Sequence, residues 1–172
     1  MEYSALGKSN LTVSRLCFGS LAISPLQVNL TIEQGGNVIL AAIEMGVNFI
    51  DTAEFYNNYP YIKYALKKTD KDLIIASKSY AYTYDGMKKS VEKARSEVGK
   101  DVIDIFMLHE QESKLTLKGH REALNYLLDA KTKGIIRAVG VSTHTVEVVD
   151  AAADMKEIDV IHPLINIKGL GI

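Results

Sequence analysis

The chain has 172 residues, of which 47% are hydrophobic and 24% charged, a composition typical of one globular domain rather than of a disordered or fibrous protein. Its formal charge of −1 leaves no basic excess for binding a nucleic-acid backbone. The sequence contains no apolar run near the ~20 residues that span a bilayer, and its start lacks the features of a signal peptide. The single cysteine, Cys17, excludes an internal disulfide. Together these features predict a cytoplasmic protein without membrane or nucleic-acid partners.

The first predicted element is an amphipathic helix that begins after Thr31. Thr31 can cap this helix, and Gln34 stands three residues later, where a capping box requires Glu or Gln. Gly46 marks the end, because glycine readily adopts the left-handed conformation that terminates many helices. Gly35 and Gly36 each cost a helix about 1 kcal/mol relative to alanine. We therefore expect its first turn to be loose.

Strand-like apolar runs and helical segments then alternate to the end of the chain. Several runs are apolar at consecutive positions, which predicts strands that are covered on both faces, as in a parallel sheet. The runs are Val47–Ile50, Leu73–Ala76, Val102–Leu108, Ile135–Val141 and Val160–Ile165. Further helices are predicted where apolar residues recur at helical spacing. These helices are Met87–Val98, Thr116–Gly134 and Val146–Ala153.

This alternation predicts an α/β protein built from right-handed βαβ units. Two architectures fit such units: an open doubly wound sheet and a (β/α)8 TIM barrel. The open dinucleotide-binding form needs a Gly-x-Gly-x-x-Gly turn after its first strand, whereas the Gly-Leu-Gly of this chain stands at 169–171. The sequence therefore favours the barrel. Because eight units need ~250 residues, we expect residues 1–172 to form a single, incomplete barrel with about six strands, which lacks the seventh and eighth.

Polar residues stand at the ends of successive predicted strands. Asp51, Lys78, His109 and Ser142 recur at intervals of roughly one βα unit. Function gathers at the carboxyl ends of the strands in both architectures. We therefore expect these side chains, together with Tyr56, to share one pocket.

A tyrosine beside a lysine suits the protonation of a developing alkoxide. A free tyrosine titrates near ~10, and a neighbouring ammonium is expected to lower that pKa by stabilising the phenolate. Asp51 would keep Lys78 in place and charged, and His109 would hydrogen-bond the substrate oxygen. The set contains no activated nucleophile, so it favours carbonyl chemistry over acyl transfer.

Each of these residues, taken alone, has a simpler explanation. Asp51 can cap the following helix, and Tyr56 can pack or lie on the surface. Lys78 can be a solvated lysine, and His109 can be a polar end to its strand. Only their joint placement at successive strand ends favours a shared functional site. The four histidines show no metal-binding spacing such as His-Glu-x-x-His, so we predict no metal site.

Several segments resemble the signature of the aldo-keto reductase family. They are Gly46–Tyr56, Ile75–Lys78, Asp104–His109 and Gly134–Ser142. The first is quite specific and reads GVNFIDTAEFY. The start of the chain, Tyr3–Gly19, is similar to the family's N-terminal hairpin, which would cap the barrel floor with residues 1–15 and lead into the first strand.

The resemblance implies a (β/α)8 barrel that reduces aldehydes or ketones to alcohols by hydride transfer from NADPH or NADH. By position, Tyr56 matches the family's proton donor. Lys78 and Asp51 match the residues that tune it, and His109 matches the residue that orients the substrate. The positions implied for cofactor binding are Gly19, Ser20, Asp51, Ser142, Thr143 and His162.

The sequence also departs from the family pattern. Most members follow the catalytic tyrosine with glycine, whereas Asn57–Pro60 follows Tyr56 here, so substrate preference does not carry over. The segment His162–Asn166 is most similar to bacterial members with a C-terminal iron–sulfur domain, and one cysteine cannot supply such a cluster.

The expected lack of the last two barrel strands leaves other functions open. The loops that hold the cofactor's phosphates are expected at those strands. One alternative is an inactive fragment whose site residues are unused. Another is a non-catalytic binding or regulatory protein on the same scaffold, similar to the channel-associated members of the family. Open strand edges also predict self-association.

Overall fold

A six-stranded parallel sheet forms the centre of the fold, and a two-stranded antiparallel hairpin precedes it. The computed structural model describes residues 1–7 and 9–168, so the Gly-Leu-Gly at 169–171 lies outside the described residues. The strands are β1 (Tyr3–Ala5), β2 (Thr12–Ser14), β3 (Phe18–Gly19), β4 (Phe49–Asp51), β5 (Ile74–Ser79), β6 (Ile103–Leu108), β7 (Ile136–Thr143) and β8 (Val160–Pro163). The helices are α1 (Ile32–Glu44), α2 (Tyr59–Leu66), α3 (Tyr84–Val98), α4 (Lys114–Gly119), α5 (Arg121–Thr132) and α6 (Val146–Ala153), with 3-10 turns at Ser20–Ile23 and Glu54–Tyr56. Across the described ranges, no helix is long and apolar enough to cross a membrane.

The six parallel strands pair in chain order from β3 to β8 and curl into half a barrel. In a flat sheet, the four strand spacings between β4 and β8 would separate them by ~19 Å. Nevertheless, His162 Nδ1 on β8 lies 3.7 Å from Asp51 Oδ1 on β4. Only strong curling brings these two side chains together. The predicted α/β fold, an incomplete (β/α)8 barrel with six strands, is therefore confirmed.

Apolar side chains pack on both faces of the curled sheet. Residues such as Ile50 and Phe106 point outwards and join the large core between the strands and the helices. Ile105 and its neighbours point inwards, where they pack with Leu11 and Val13 of the hairpin. The hairpin therefore closes one end of the half-barrel. The carboxyl ends of the strands lie at the other end, which the hairpin does not cover.

The start of α1 matches the predicted capping box, but its first turn is not loose. The Thr31 side chain accepts a hydrogen bond from the Gln34 backbone, and the Gln34 side chain accepts one from the Thr31 backbone. Gly35 and Gly36 are buried against α2. A Cβ atom on Gly35 would lie 2.6 Å from Cδ2 of Tyr61. The glycines allow two helices to approach each other closely, which helix propensity alone does not reveal.

We expect Gly35→Ala to destabilise the protein by about 1–3 kcal/mol, because the added methyl group overpacks this contact. Tyr61 cannot easily move away, since it is 4% exposed and its hydroxyl donates to the Leu30 carbonyl. Gly119→Ala is the matched control, because no atom lies within 4 Å of its added Cβ. The two free energies of unfolding are measured in urea. Equal stability of both variants would contradict the close-approach explanation.

The helix predicted over Thr116–Gly134 is in fact two helices, α4 and α5, so the predicted boundary is wrong. Ser113 rather than Thr116 caps α4, and Thr116 is its capping-box partner three residues later. His120 ends α4 and precedes α5. Helix α2 was not predicted at all. Its Pro60 is tolerated because it lies in the first turn, where a backbone N–H has no partner within the helix.

The last predicted helix, α6, forms with a different buried face. Val146, chosen as part of the apolar stripe, is 48% exposed, and Ala153 is exposed as well. Val148 and Ala152 are buried instead. Six of the eight positions of this helix are apolar, so periodicity could not select the buried face.

Candidate active site

The polar residues singled out at the strand ends do lie together, but most of them belong to the strands themselves. Asp51 is the last residue of β4, and Lys78 and Ser142 lie within β5 and β7. His109 follows β6 directly. The strands extend past their apolar runs because neighbouring parallel strands pair along these residues: Lys78 stands beside Met107, for example. All four residues therefore reach the carboxyl edge of the sheet.

A cavity of about 310 Å³ opens at this edge. Its walls include five of the predicted site residues, namely Tyr56, Lys78, His109, Ser142 and His162. The other lining residues are Glu110, His144, Pro163, Leu164 and Ile165. Asp51 adjoins this cavity through its ion pair with Lys78.

Lys78 is a buried cation that is fully paired. Its side chain is 2% exposed, and Nζ lies 2.7 and 2.8 Å from the two carboxylate oxygens of Asp51. Nζ donates one hydrogen bond to Asp51 Oδ2 and a second, at 2.9 Å, to the Thr52 carbonyl. The ammonium is therefore both ion-paired and hydrogen-bonded. A buried charge persists only when it is paired and hydrogen-bonded in this way.

Tyr56 lies beside this ion pair with its proton retained. The Lys78 ammonium lies 5.2 Å from the centroid of its ring. Burial, followed by the negative charges of Asp51 and Glu110, raises the pKa of Tyr56 to about 12. This pKa is therefore raised rather than lowered as expected, because burial and the neighbouring carboxylates outweigh the Lys78 ammonium. Within the described part of the chain, the Tyr56 hydroxyl makes no hydrogen bond, which leaves its proton free for a ligand.

Asn57 explains how the chain turns after Tyr56 without the usual glycine. Its φ of 52° lies in the left-handed region. Glycine adopts this conformation most easily, and asparagine is among the few other residues that adopt it readily. The substitution therefore keeps the backbone turn that positions Tyr56.

His109 is buried between aromatic rings. Its ring lies edge-on to Tyr56, with the centroids 5.8 Å apart, and is stacked on Tyr80 at 4.2 Å. Burial, followed by the positive charge of Lys78, lowers the pKa of His109 to about 4. The imidazole is therefore neutral at neutral pH, and it can donate a hydrogen bond without releasing a proton.

Two of the predicted cofactor residues face the cavity. The Ser142 hydroxyl accepts a hydrogen bond from the Glu110 backbone N–H at 2.8 Å. His162 is about half exposed at the mouth, 3.7 Å from the Asp51 carboxylate. Both side chains can bind a neutral amide. Asp51, a third predicted cofactor residue, lies next to this cavity and contacts His162.

Three other predicted cofactor residues are not placed in this cavity. Thr143 follows Ser142 on β7, so its side chain points to the opposite face, where its hydroxyl donates to the Gln111 carbonyl at 2.6 Å. Ser20 is fully buried, and its hydroxyl donates to the Asp51 carbonyl at 2.8 Å. Gly19 lies beside a separate groove between β3 and α1. The hydroxyls of Thr143 and Ser20 are therefore hydrogen-bonded within the fold, and their contact with a cofactor stays a prediction.

The cavity fits the nicotinamide end of a dinucleotide better than its phosphates. Ser142 and the imidazoles of His109 and His162 offer uncharged donors and acceptors for an amide. Lys78 is the sole cation in the wall, and Asp51 neutralises it. Residues outside this wall would have to bind the phosphates. Among the residues that the structure describes, no cluster of His, Cys, Asp and Glu could hold a metal ion.

Sequence reasoning missed Tyr80 and Glu110 as parts of the site. Tyr80 stacks on His109, and its hydroxyl hydrogen-bonds the Glu110 carboxylate. Tyr80 directly follows β5 and Glu110 is the second residue after β6, at positions where the barrel argument places function. Their proximity to Lys78 and His109 in sequence was the available signal.

A parallel half-barrel with a polar cavity at the carboxyl ends of its strands has the arrangement of (β/α)8 enzymes. Residues 15–167 match the sequence model of the Aldo/keto reductase family. This match covers most of the chain, which therefore belongs to the aldo-keto reductase family.

Relatives and solved structures agree with this assignment. The chain is 26% identical over 183 residues to Aldo-keto reductase YhdN of Bacillus subtilis, covering 97% of this chain and 54% of the relative. It is 26% identical over 148 residues to a protein of Arabidopsis thaliana named as a probable voltage-gated potassium channel subunit beta, covering 75% of this chain and 43% of the relative. The crystal structure of the thermostable aldo-keto reductase Tm1743 with the inhibitor epalrestat superposes with a TM-score of 0.83 at 25% identity, covering 99% of this chain and 65% of that one. The chain spans about half the length of the curated relatives that it matches.

Proposed function

We propose that this chain carries the reductive site of an NADPH- or NADH-dependent aldo-keto reductase, in which Tyr56 donates the proton to an aldehyde or ketone. The observation that carries the proposal is the convergence of Tyr56, Lys78 and His109 on one cavity, with Asp51 paired to Lys78. Three different strands contribute these groups, so the fold rather than local sequence brings them together.

Tyr56 can supply the proton that carbonyl reduction requires. A nicotinamide held beside Ser142 and His162 would supply the hydride to the carbonyl carbon. The π-electron pair of the C=O bond moves to the oxygen, which takes the proton from the Tyr56 hydroxyl and becomes the alcohol. Because the pKa of Tyr56 is raised to about 12, the phenol keeps its proton at neutral pH until this stronger base develops. Water at the cavity mouth then returns a proton to the phenolate.

Lys78 and His109 support this proton transfer in different ways. Negative charge develops on the Tyr56 phenolate beside the Lys78 ammonium, which stabilises it. Asp51 keeps the ammonium in position. His109 is neutral, since its pKa is lowered to about 4, so its N–H can orient the carbonyl oxygen without competing as an acid.

The test is turnover of an aldehyde panel by the purified chain at neutral pH with NADPH and with NADH. We expect weak cofactor binding and slow cofactor oxidation that depends on the aldehyde and matches the alcohol formed, because the loops that hold the cofactor's phosphates are expected at the seventh and eighth strands. Binding of the cofactor without turnover of any aldehyde would overturn the proposal and favour the non-catalytic alternative. A chain that neither binds nor turns over would instead support an inactive fragment.

We also expect the 172-residue chain to self-associate. The outer strands β3 and β8 of the described sheet each lack a neighbour on one side, and unpaired edges readily pair with a second copy. Leu16, 61% exposed, adds apolar surface beside β3. Sedimentation velocity over a range of concentrations should show a dimer that Leu16→Lys weakens. Leu115→Lys, at a residue 76% exposed on α4, is the control. A monomer at all concentrations would contradict the expectation.

A further inference from the structure

Tyr80 covers one face of the His109 ring. The two rings are nearly parallel, with an interplanar angle of 19° and centroids 4.2 Å apart. Phe55 meets the Tyr80 ring edge-on at 5.9 Å. Tyr80 is itself 43% exposed, so the packing of the core does not fix its position. Some other contact must hold its ring against His109.

Glu110 supplies that contact. Its carboxylate accepts a hydrogen bond from the Tyr80 hydroxyl, although Glu110 is the residue directly after His109. The φ of Glu110 is 45°, a left-handed conformation that few residues other than glycine and asparagine adopt. Its backbone N–H donates to the Ser142 hydroxyl at 2.8 Å. One residue in an uncommon conformation therefore ties Tyr80 to Ser142 on β7, which lines the cavity.

We propose that Tyr80 and Glu110 form a brace that shields one face of the His109 ring from water and fixes the orientation of that ring in the cavity. Both are therefore positioning residues for the site. Tyr80 supplies the ring that covers His109, and Glu110 keeps that ring in place. The inference rests on the proposed function, since there His109 orients the carbonyl. The brace can nevertheless be tested on the imidazole itself, without any turnover.

The brace matters because it favours the neutral form of His109 over the imidazolium. Nδ1 is buried and has no hydrogen-bond partner in the described structure. An unpaired buried acceptor is tolerated better than an unpaired buried N–H, so the proton is expected on Nε2. Lys78, Glu110, His144 and His162 are the ionisable neighbours that act on this ring. Covering one face with Tyr80 keeps water from stabilising the imidazolium.

The experiment is an NMR titration of the histidine side chains in the full chain, with the His109 signals assigned by their loss in His109→Gln. In the wild type we expect the Nε2–H tautomer at neutral pH and a pKa of about 4. Tyr80→Leu should raise that pKa towards its ordinary 6.5 and move the His109 ring protons downfield, because the ring current of Tyr80 is lost. Tyr80→Phe keeps the ring but loses its hydrogen bond to Glu110, so its effects should be smaller.

Two substitutions of Glu110 separate the brace from simple electrostatics by the sign of their effects. The Glu110 charge raises the pKa of His109, so loss of the charge alone must lower it. Glu110→Gln removes the charge but keeps an acceptor for Tyr80, and it should lower the pKa slightly. Glu110→Met releases Tyr80 as well. Burial is the largest cause of the low pKa, so Glu110→Met should raise it.

Tyr82→Leu is the matched control, because Tyr82 contacts His120 rather than His109. It should move the His120 signals and leave His109 unchanged. The ring-proton shifts at neutral pH provide a readout that does not depend on stability in acid. The brace would be overturned if Tyr80→Leu left the His109 shifts and pKa in place, or if Glu110→Met lowered the pKa as Glu110→Gln does. Neither result would depend on whether the chain reduces carbonyls.

Discussion

Tyr56→Phe is expected to lower kcat for carbonyl reduction by about 10²–10⁴-fold, the usual contribution of a positioned general acid. The substitution removes only the hydroxyl, and that hydroxyl makes no hydrogen bond within the described residues. The ring stays edge-on to His109 and beside the Lys78 ammonium. We therefore expect the fold and the affinity for the cofactor to be preserved while proton transfer is lost.

Tyr82→Phe is the control for this prediction. Tyr82 is 65% exposed and lies outside the wall of the cavity, so its hydroxyl should contribute nothing to kcat. Steady-state rates for both variants are measured with the same aldehyde and cofactor, and cofactor binding is measured separately. If Tyr56→Phe turned over as fast as Tyr82→Phe, the proton would have to come from another group.

The outline of the site could be predicted because a parallel barrel converts sequence spacing into proximity. Asp51, Lys78 and His109 stand at the ends of apolar runs one βα unit apart, and parallel strands bring such ends to one edge. The same spacing gives the six-stranded fold. No knowledge of side-chain packing is needed for this step, since the strand pattern determines which residues share an edge.

The remaining details depend on contacts that spacing does not encode. Thr143 follows Ser142 in sequence, but neighbouring residues of a strand point to opposite faces, and the Thr143 hydroxyl donates to the Gln111 carbonyl instead of facing the cavity. The raised pKa of Tyr56 could not be predicted, because it depends on burial and on the nearby carboxylates of Asp51 and Glu110. A lysine beside a tyrosine is therefore insufficient evidence that the pKa of the phenol is lowered.

The Asp51–Lys78 pair should also dominate the stability of this edge of the sheet. Asp51→Asn leaves the Lys78 ammonium, 2% exposed, without its counter-ion. Removal of one partner of a buried ion pair costs about 3–5 kcal/mol, because the other charge stays buried and unpaired. Lys78→Met should cost less, since the Asp51 side chain is 16% exposed and can be reached by water. Both variants should lose carbonyl reduction as well.

The double variant distinguishes a coupled pair from two independent residues. Asp51→Asn with Lys78→Met leaves no unpaired charge, so its loss of stability should be smaller than the sum of the single losses, with a coupling of about 0.5–3 kcal/mol. Urea unfolding of the wild type, both single variants and the double variant measures this coupling. The exposed pair Arg15–Glu2 is the control, because its side chains are 68% and 80% exposed and solvent screens their attraction. Additive losses at Asp51 and Lys78 would show that the ammonium finds another partner when the carboxylate is removed, and that Asp51 does not hold Lys78 beside Tyr56.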